Sequence, residues 1–109
     1  MDKEIKTICG DAIEEMKKLP DKSIHLIVTD PPYNLNKDYG NNQDKLKFEK
    51  YLDFSRQWLT ETKRILTDNG TIYVFMGMRY ISYVYTILEK ELGMTFNSWI
   101  TWFYTQGIG

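Results

Sequence analysis

Apolar positions in this chain switch between a period of about two and a period of about three to four. Ile5 to Ile8 is a short strand-like run. Gly10-Asp11 then opens a helix, with Asp11 placed to cap it and Glu14 three residues on. Ile13, Met16 and Leu19 form its apolar face, and Pro20-Asp21-Lys22 ends it. From Ile24 to Thr29 the period is two. Ile24, Leu26 and Val28 face one way, and His25, Ile27 and Thr29 the other. Apolar residues on both faces predict a central strand with helices on both sides, and His25 as a satisfied core residue.

Asn34 to Lys47 is polar and Asn-rich and reads as a long loop, a length that is usually functional or disordered. From Phe48 the helical period returns, with Tyr51, Leu52, Ser55, Trp58, Leu59, Thr62, Ile65 and Leu66 on one stripe. Asp68-Asn69-Gly70 is expected to stop that helix, Gly70 taking a left-handed cap. Thr71 to Phe75 is a β-branched and aromatic strand ended by Gly77. Arg79 to Leu92 reads as a second long helix, with Ile81, Val84, Tyr85, Leu88 and Leu92 inward and Gly93 as its stop. Phe96 to Tyr104 reads as a last strand before a Gly107-Ile108-Gly109 turn. The order β-α-β-loop-α-β-α-β predicts an α/β fold with a mainly parallel sheet flanked by helices.

The 109 residues suffice for one small domain. A net charge of −1 means that any basic surface for nucleic acid must be local. Lys37, Lys45 and Lys47 could meet phosphates from the polar loop, although Asp38 and Asp44 offset them. Cys9 is the only cysteine, which excludes an intrachain disulfide and fits a small packed residue in a reducing cytoplasm. No signal core opens the chain, no run reaches membrane-spanning length, and no Cys/His cluster suggests a metal.

Asp30-Pro31-Pro32-Tyr33 stands just past the Ile24–Thr29 strand, the edge where open α/β sheets bind ligands. A plain turn would account for the residue types. The chemistry allows more. Each proline removes a backbone donor and keeps its carbonyl, and an ionised Asp30 only accepts. Asp30 and the Pro31 carbonyl can therefore converge on one NH2 group while Tyr33 stacks on the ring that bears it. That is a receptor for an amino group on a flat heterocycle.

Thr29-Asp30-Pro31-Pro32-Tyr33-Asn34 resembles the catalytic motif of S-adenosylmethionine-dependent amino-DNA methyltransferases. Gly10-Asp11-Ala12 and Leu19-Pro20-Asp21-Lys22-Ser23-Ile24 resemble the segment that leads into it in members whose catalytic motif precedes the cofactor motif. Trp58 to Phe75, with Arg64-Ile65-Leu66 and Asn69-Gly70, resembles the helix-turn-strand that follows. Trp99-Ile100-Thr101-Trp102 and Gly107-Ile108-Gly109 resemble the strand and turn before the target-recognition region.

The resemblance implies a partial Rossmann-like methyltransferase domain that transfers a methyl group from S-adenosylmethionine to the N6 amino group of a flipped-out adenine in double-stranded DNA. The resemblance also implies an enzyme of the restriction-modification type. Asp30, Pro31, Pro32 and Tyr33 would be catalytic; Asp11, Ala12 and Asp30 would contact the cofactor; Tyr33, Asn34 and Trp102 would meet the base. Asp11 keeps its plain reading as a helix cap, and Trp102 its reading as a core residue. Asp at the first motif position favours adenine, since N4-cytosine members usually carry Ser there. A cognate restriction endonuclease and a second copy of the chain are the implied protein partners.

The family's F-x-G-x-G cofactor motif is not found in these 109 residues. The expectation is that 1–109 is the N-terminal catalytic portion of a longer enzyme, with little activity and weak cofactor affinity alone. Two other classes stay open: an RNA or protein amino-methyltransferase, which would usually carry Asn in place of Asp30, and a non-catalytic remnant that binds nucleic acid or a partner subunit.

Overall fold

The computed structural model of the chain describes residues 4–34 and 47–103. Its elements are α1 (Ala12–Lys17), β1 (Ile24–Thr29), α2 (Phe48–Ile65), β2 (Leu66–Val74) and α3 (Ile81–Thr86), which widens into a π-helical turn over Ile87–Glu91. β1 and β2 pair in parallel, and helices flank the two-stranded sheet. The architecture is α/β, as the alternation of periods predicts.

The long helix organises the rest. Tyr51, Leu52, Ser55, Trp58, Leu59, Thr62 and Ile65 are all buried on one side of α2, the stripe expected from their spacing. Leu52, Trp58 and Leu59 form a core with Val84 and Ile87. Ile13 and Met16 of α1 and Val74 and Met76 from the strand side pack against it. Asp11 caps α1, its carboxylate accepting from the Glu14 N–H at 3.0 Å. Arg64 closes the other end. Its guanidinium donates to the carbonyls of Met16 at 2.7 Å and Leu19 at 2.9 Å and pairs with Asp21 at 2.7 Å. One side chain of α2 thus adds a second donor to the Met16 carbonyl, which already accepts from the Leu19 N–H, and caps the Leu19 carbonyl just past α1.

The α2–β2 junction differs from expectation. Leu66 follows Ile65 directly as the first residue of β2, with no turn at Asp68-Asn69-Gly70. Ile24 pairs with Leu66 but Leu26 pairs with Thr71, so residues 67–70 bulge out of the ladder. Gly70 has no left-handed backbone. Its need for glycine is steric: a Cβ there would lie 2.9 Å from Leu66 Cδ2 and 3.1 Å from the His25 carbonyl oxygen. Gly93 does take φ +68° and ends the π turn.

Three further expectations are corrected. Ile5–Ile8 and Phe96–Phe103 form no strand in the structure; Ile5 is 95% exposed, and neither segment finds a ladder partner among the described residues. An amphipathic pattern specifies faces, but a strand also needs a neighbour for its N–H and C=O groups. β1 is not covered on both sides: Leu26 and Val28, with Tyr73 of the other strand and Phe75 just past it, are exposed, as are His25 and Cys9. Finally, on the inward face expected for 79–92 only Val84 is fully buried, Ile81, Tyr85, Leu88 and Leu92 being half-buried, while Ile87, three residues after Val84 and so on the same side of the helix, completes the core. Tyr104 to Gly109, including the Gly107–Gly109 turn, lies outside the described residues.

Leu59 is fully buried, so Leu59→Ala is expected to destabilise the fold by about 2–5 kcal/mol. Gly70→Ala is expected to cost about 1–3 kcal/mol through overpacking against the backbone of β1. Urea unfolding followed by circular dichroism checks both, and a Gly70→Ala midpoint equal to that of the parent would remove the steric account of the bulge.

Candidate functional site

β1 delivers the chain to the sheet rim. The Thr29 carbonyl still accepts from the Phe75 N–H at 2.9 Å, one residue past the end of β2. The next two donors are missing because residues 31 and 32 are prolines, so the ladder stops and the chain bends. Along the bend Asp30 is exposed, Pro31 half-buried, Pro32 exposed, Tyr33 half-buried and Asn34 buried. Asn34 takes φ +57°, a left-handed conformation that asparagine tolerates better than most residues.

The bend is held from inside by two phenols. The Tyr51 hydroxyl, from the first turn of α2, donates to the Pro32 carbonyl and lies 3.6 Å from Met76 Sδ. The Tyr80 hydroxyl, at the start of α3, accepts from Asn34 Nδ2 at 3.1 Å. The Tyr51 and Tyr80 rings pack with centroids 4.5 Å apart, and Phe48 and Tyr83 extend the aromatic cluster. Tyr51 and Tyr80 are 1% and 4% exposed, so both anchors sit in the protein interior.

On the outer side the Tyr33 hydroxyl donates to Asp30 Oδ1. The Tyr33 ring stands against Gly77, where a Cβ would approach it to 3.5 Å, an ordinary contact. Burial pushes the Tyr33 phenol up to about 12, with further help from its hydrogen bond to Asp30 and from that carboxylate's charge. Asp30 Oδ2 makes no hydrogen bond among the described residues. The arrangement offers a solvent-facing acceptor beside an aromatic ring of fixed orientation. It can grip a planar group that carries N–H donors.

The remaining candidates are spread over other elements. Asp11 is exposed at the α1 cap, with Oδ2 committed to Glu14, and Ala12 is the exposed first residue of that helix. Asp30, Pro31, Pro32, Tyr33 and Asn34 are together by sequence and by anchoring; Asp11 and Ala12 belong to a separate helix. Trp102 is 78% exposed, and no hydrogen bond or ring contact joins it to the bend. Of the loop lysines, Lys47 precedes α2, and Lys37 and Lys45 lie outside the described residues. No group of three or more His, Cys, Asp or Glu among the described residues could hold a metal ion. Sequence reasoning missed the anchors. Tyr51 was visible only as a member of the apolar stripe, and Tyr80 gave no periodic signal.

The raised phenol has a pH consequence. Below its ordinary value of 10.0, Tyr33 is protonated in folded and unfolded chains alike and its contribution to stability is fully present. As pH rises from there to about 12 the unfolded chain gives up its proton first, and that contribution is lost. Ultraviolet difference titration should show one fewer late-ionising phenol in Tyr33→Phe than in the parent, where Tyr85, hydrogen-bonded to Glu89, is also raised.

Comparison with known proteins gives this geometry a family. The sequence model of the N6/N4-type DNA methylase family matches residues 24–109. Type II methyltransferase M.HpaI of Haemophilus parainfluenzae is 65% identical over 102 residues, covering 94% of this chain and 32% of that protein. Type II methyltransferase M.BamHI of Bacillus amyloliquefaciens is 34% identical over 93 residues, 84% of this chain and 22% of the relative. DNA adenine methyltransferase YhdJ of Escherichia coli is 32% identical over 102 residues, 93% and 34% of the two chains. The chain thus spans between about a fifth and about a third of the length of these relatives. With its bend inside the matched region and most of its length aligned, the chain belongs to the N6/N4-type DNA methylase family.

Proposed function

We propose that this chain is the N-terminal catalytic portion of a DNA methyltransferase that modifies the N6 amino group of adenine within a restriction-modification system. The observation that carries the reading is the exposed Asp30 carboxylate beside the tethered Tyr33 ring at the rim of the sheet. Two features support adenine: the acidic first residue of the motif, and similarity to a relative named for adenine methylation. Double-stranded DNA is the substrate in this reading. A cognate restriction endonuclease and a second copy of the chain are the proposed protein partners.

The exocyclic nitrogen of adenine is a poor nucleophile because its lone pair is delocalised into the ring. Asp30 and the Pro31 carbonyl accept its two N–H bonds. Held this way, N6 turns towards a tetrahedral geometry and its lone pair points away from the acceptors. Positioning and oriented dipoles supply most of the rate. Asp30 need not be a strong base, since the N–H it holds becomes acidic only as the new N–C bond forms. Extruding the base costs a few kcal/mol, and stacking on Tyr33 returns about 1–3 kcal/mol of that.

S-adenosylmethionine would supply an electrophilic methyl group on a sulfonium for direct displacement. The residues present fit it in charge and chemistry: Asp11 and Asp30 are exposed carboxylates that can accept from amino and hydroxyl donors and stand near a cation.

Asp30→Ala is expected to lower kcat about 100- to 1,000-fold, since an acceptor aligned with developing charge is removed. The assay is methyl transfer to unmethylated DNA by the intact protein carrying this chain, with the modified base read by sequencing. Modified cytosine in place of adenine would overturn the base assignment, and full activity in Asp30→Ala would overturn the site. Residues 1–109 alone are expected to turn over far more slowly than the intact protein and to bind the cofactor weakly.

A further inference from the structure

We infer that Tyr51 is a positioning residue for methyl transfer, one that decides which prolyl carbonyl of the bend faces the substrate. The inference rests on the functional reading above and deepens it. A two-proline bend exposes two carbonyl acceptors with no neighbouring N–H to occupy them. Only one of them can help grip a single amino group alongside Asp30. The structure resolves this choice through α2. The Tyr51 hydroxyl donates to the Pro32 carbonyl, which commits that oxygen to the protein side. The Pro31 carbonyl is left as the prolyl acceptor for the base.

Three observations make Tyr51 suited to this task. Its ring is 1% exposed and packed at 4.5 Å against Tyr80, so the hydroxyl has little freedom to leave the carbonyl. Tyr80 in turn accepts from Asn34, so the residues on both sides of Tyr33 are tied to the same aromatic pair. Met76 Sδ, at 3.6 Å, is a much weaker acceptor than a carbonyl oxygen, so it does not compete for the hydroxyl proton. The pair fixes the bend from Pro32 to Asn34, and with it the direction of the Tyr33 ring. No atom of Tyr51 needs to touch the substrate.

Tyr51→Phe tests this, because it keeps the ring and removes the donor. In the intact protein carrying this chain, kcat should fall about 10- to 100-fold, as expected when a reacting group is misplaced by a fraction of an ångström to 1 Å. KM for S-adenosylmethionine should stay within about twofold, and the thermal midpoint should drop by no more than about 8 °C, the scale of one lost hydrogen bond. Fluorescence of 2-aminopurine at the target position should still report extrusion but with altered quenching, because the Tyr33 ring is no longer held in place. Tyr85→Phe, which removes a hydroxyl bonded to Glu89 on the far helix, should leave kcat unchanged. Independently of activity, the carbonyl 13C resonance of Pro32 should move upfield in Tyr51→Phe and stay in place in Tyr85→Phe. An unmoved Pro32 resonance, an unchanged kcat, or a loss of kcat matched by equal losses in cofactor binding and stability would each overturn the inference while leaving the methyltransferase reading standing. A parent protein that methylates no DNA would overturn that reading and this inference with it.

Discussion

Everything described in this chain leans on the buried stripe of α2. Its middle holds the core through Leu52, Trp58 and Leu59, its first turn sends the Tyr51 hydroxyl to the Pro32 carbonyl, and its last turn sends Arg64 to the end of α1. The helix is amphipathic enough to need a partner surface, and burial of its large side chains is worth about 1.5–3 kcal/mol each. Because core and bend share one rigid rod, the placement of the rim acceptors follows from hydrophobic packing well away from them. A carboxylate and a phenol on an unsupported two-proline turn would wander. Here they are held from beneath.

The same arrangement divides labour between rigid and adaptable groups. The prolines and the interior phenols fix the backbone, and the Tyr33–Asp30 hydrogen bond sets one side-chain rotamer while leaving the second carboxylate oxygen to solvent. Surface ion pairs add little to this. The Arg56–Glu91 pair, at 2.8 Å between α2 and the π turn, is well formed and holds the Glu91 carboxyl below the usual carboxylate range, yet solvent screens it. Specific geometry in this protein comes from buried aromatic contacts and backbone chemistry rather than from charge.

The sequence was legible where local pattern and burial agree. The α2 stripe, the Asp11 cap, β1 and the bend could all be read from spacing and residue chemistry, and the motif's resemblance pointed to the family that the comparisons support. It was illegible where the outcome depends on a partner elsewhere in space. Ile5–Ile8 and Phe96–Phe103 have strand-like composition but no ladder neighbour among the described residues. Leu26 and Val28 have core-like composition but are left more than half exposed by the described residues. Gly70 was read as a turn residue because glycine after Asp-Asn usually is one, whereas its role is to let two backbones pass closely. The phenolic anchors were hidden because an inward tyrosine scores as apolar whether or not its hydroxyl has work to do.

The seamless passage from α2 into β2 has a mechanical outcome. With no slack between Ile65 and Leu66, rotation of the helix about its own axis is geared to the phase of the strand, and the bulge over 67–70 is the slip joint of the β1–β2 ladder among the described residues. A single-residue deletion inside that slip joint would be absorbed there, or else would swap inward and outward side chains along β2 and unseat the Phe75 amide that holds the last carbonyl before Asp30. The length of a segment remote in sequence from the motif therefore governs how its rim is aimed.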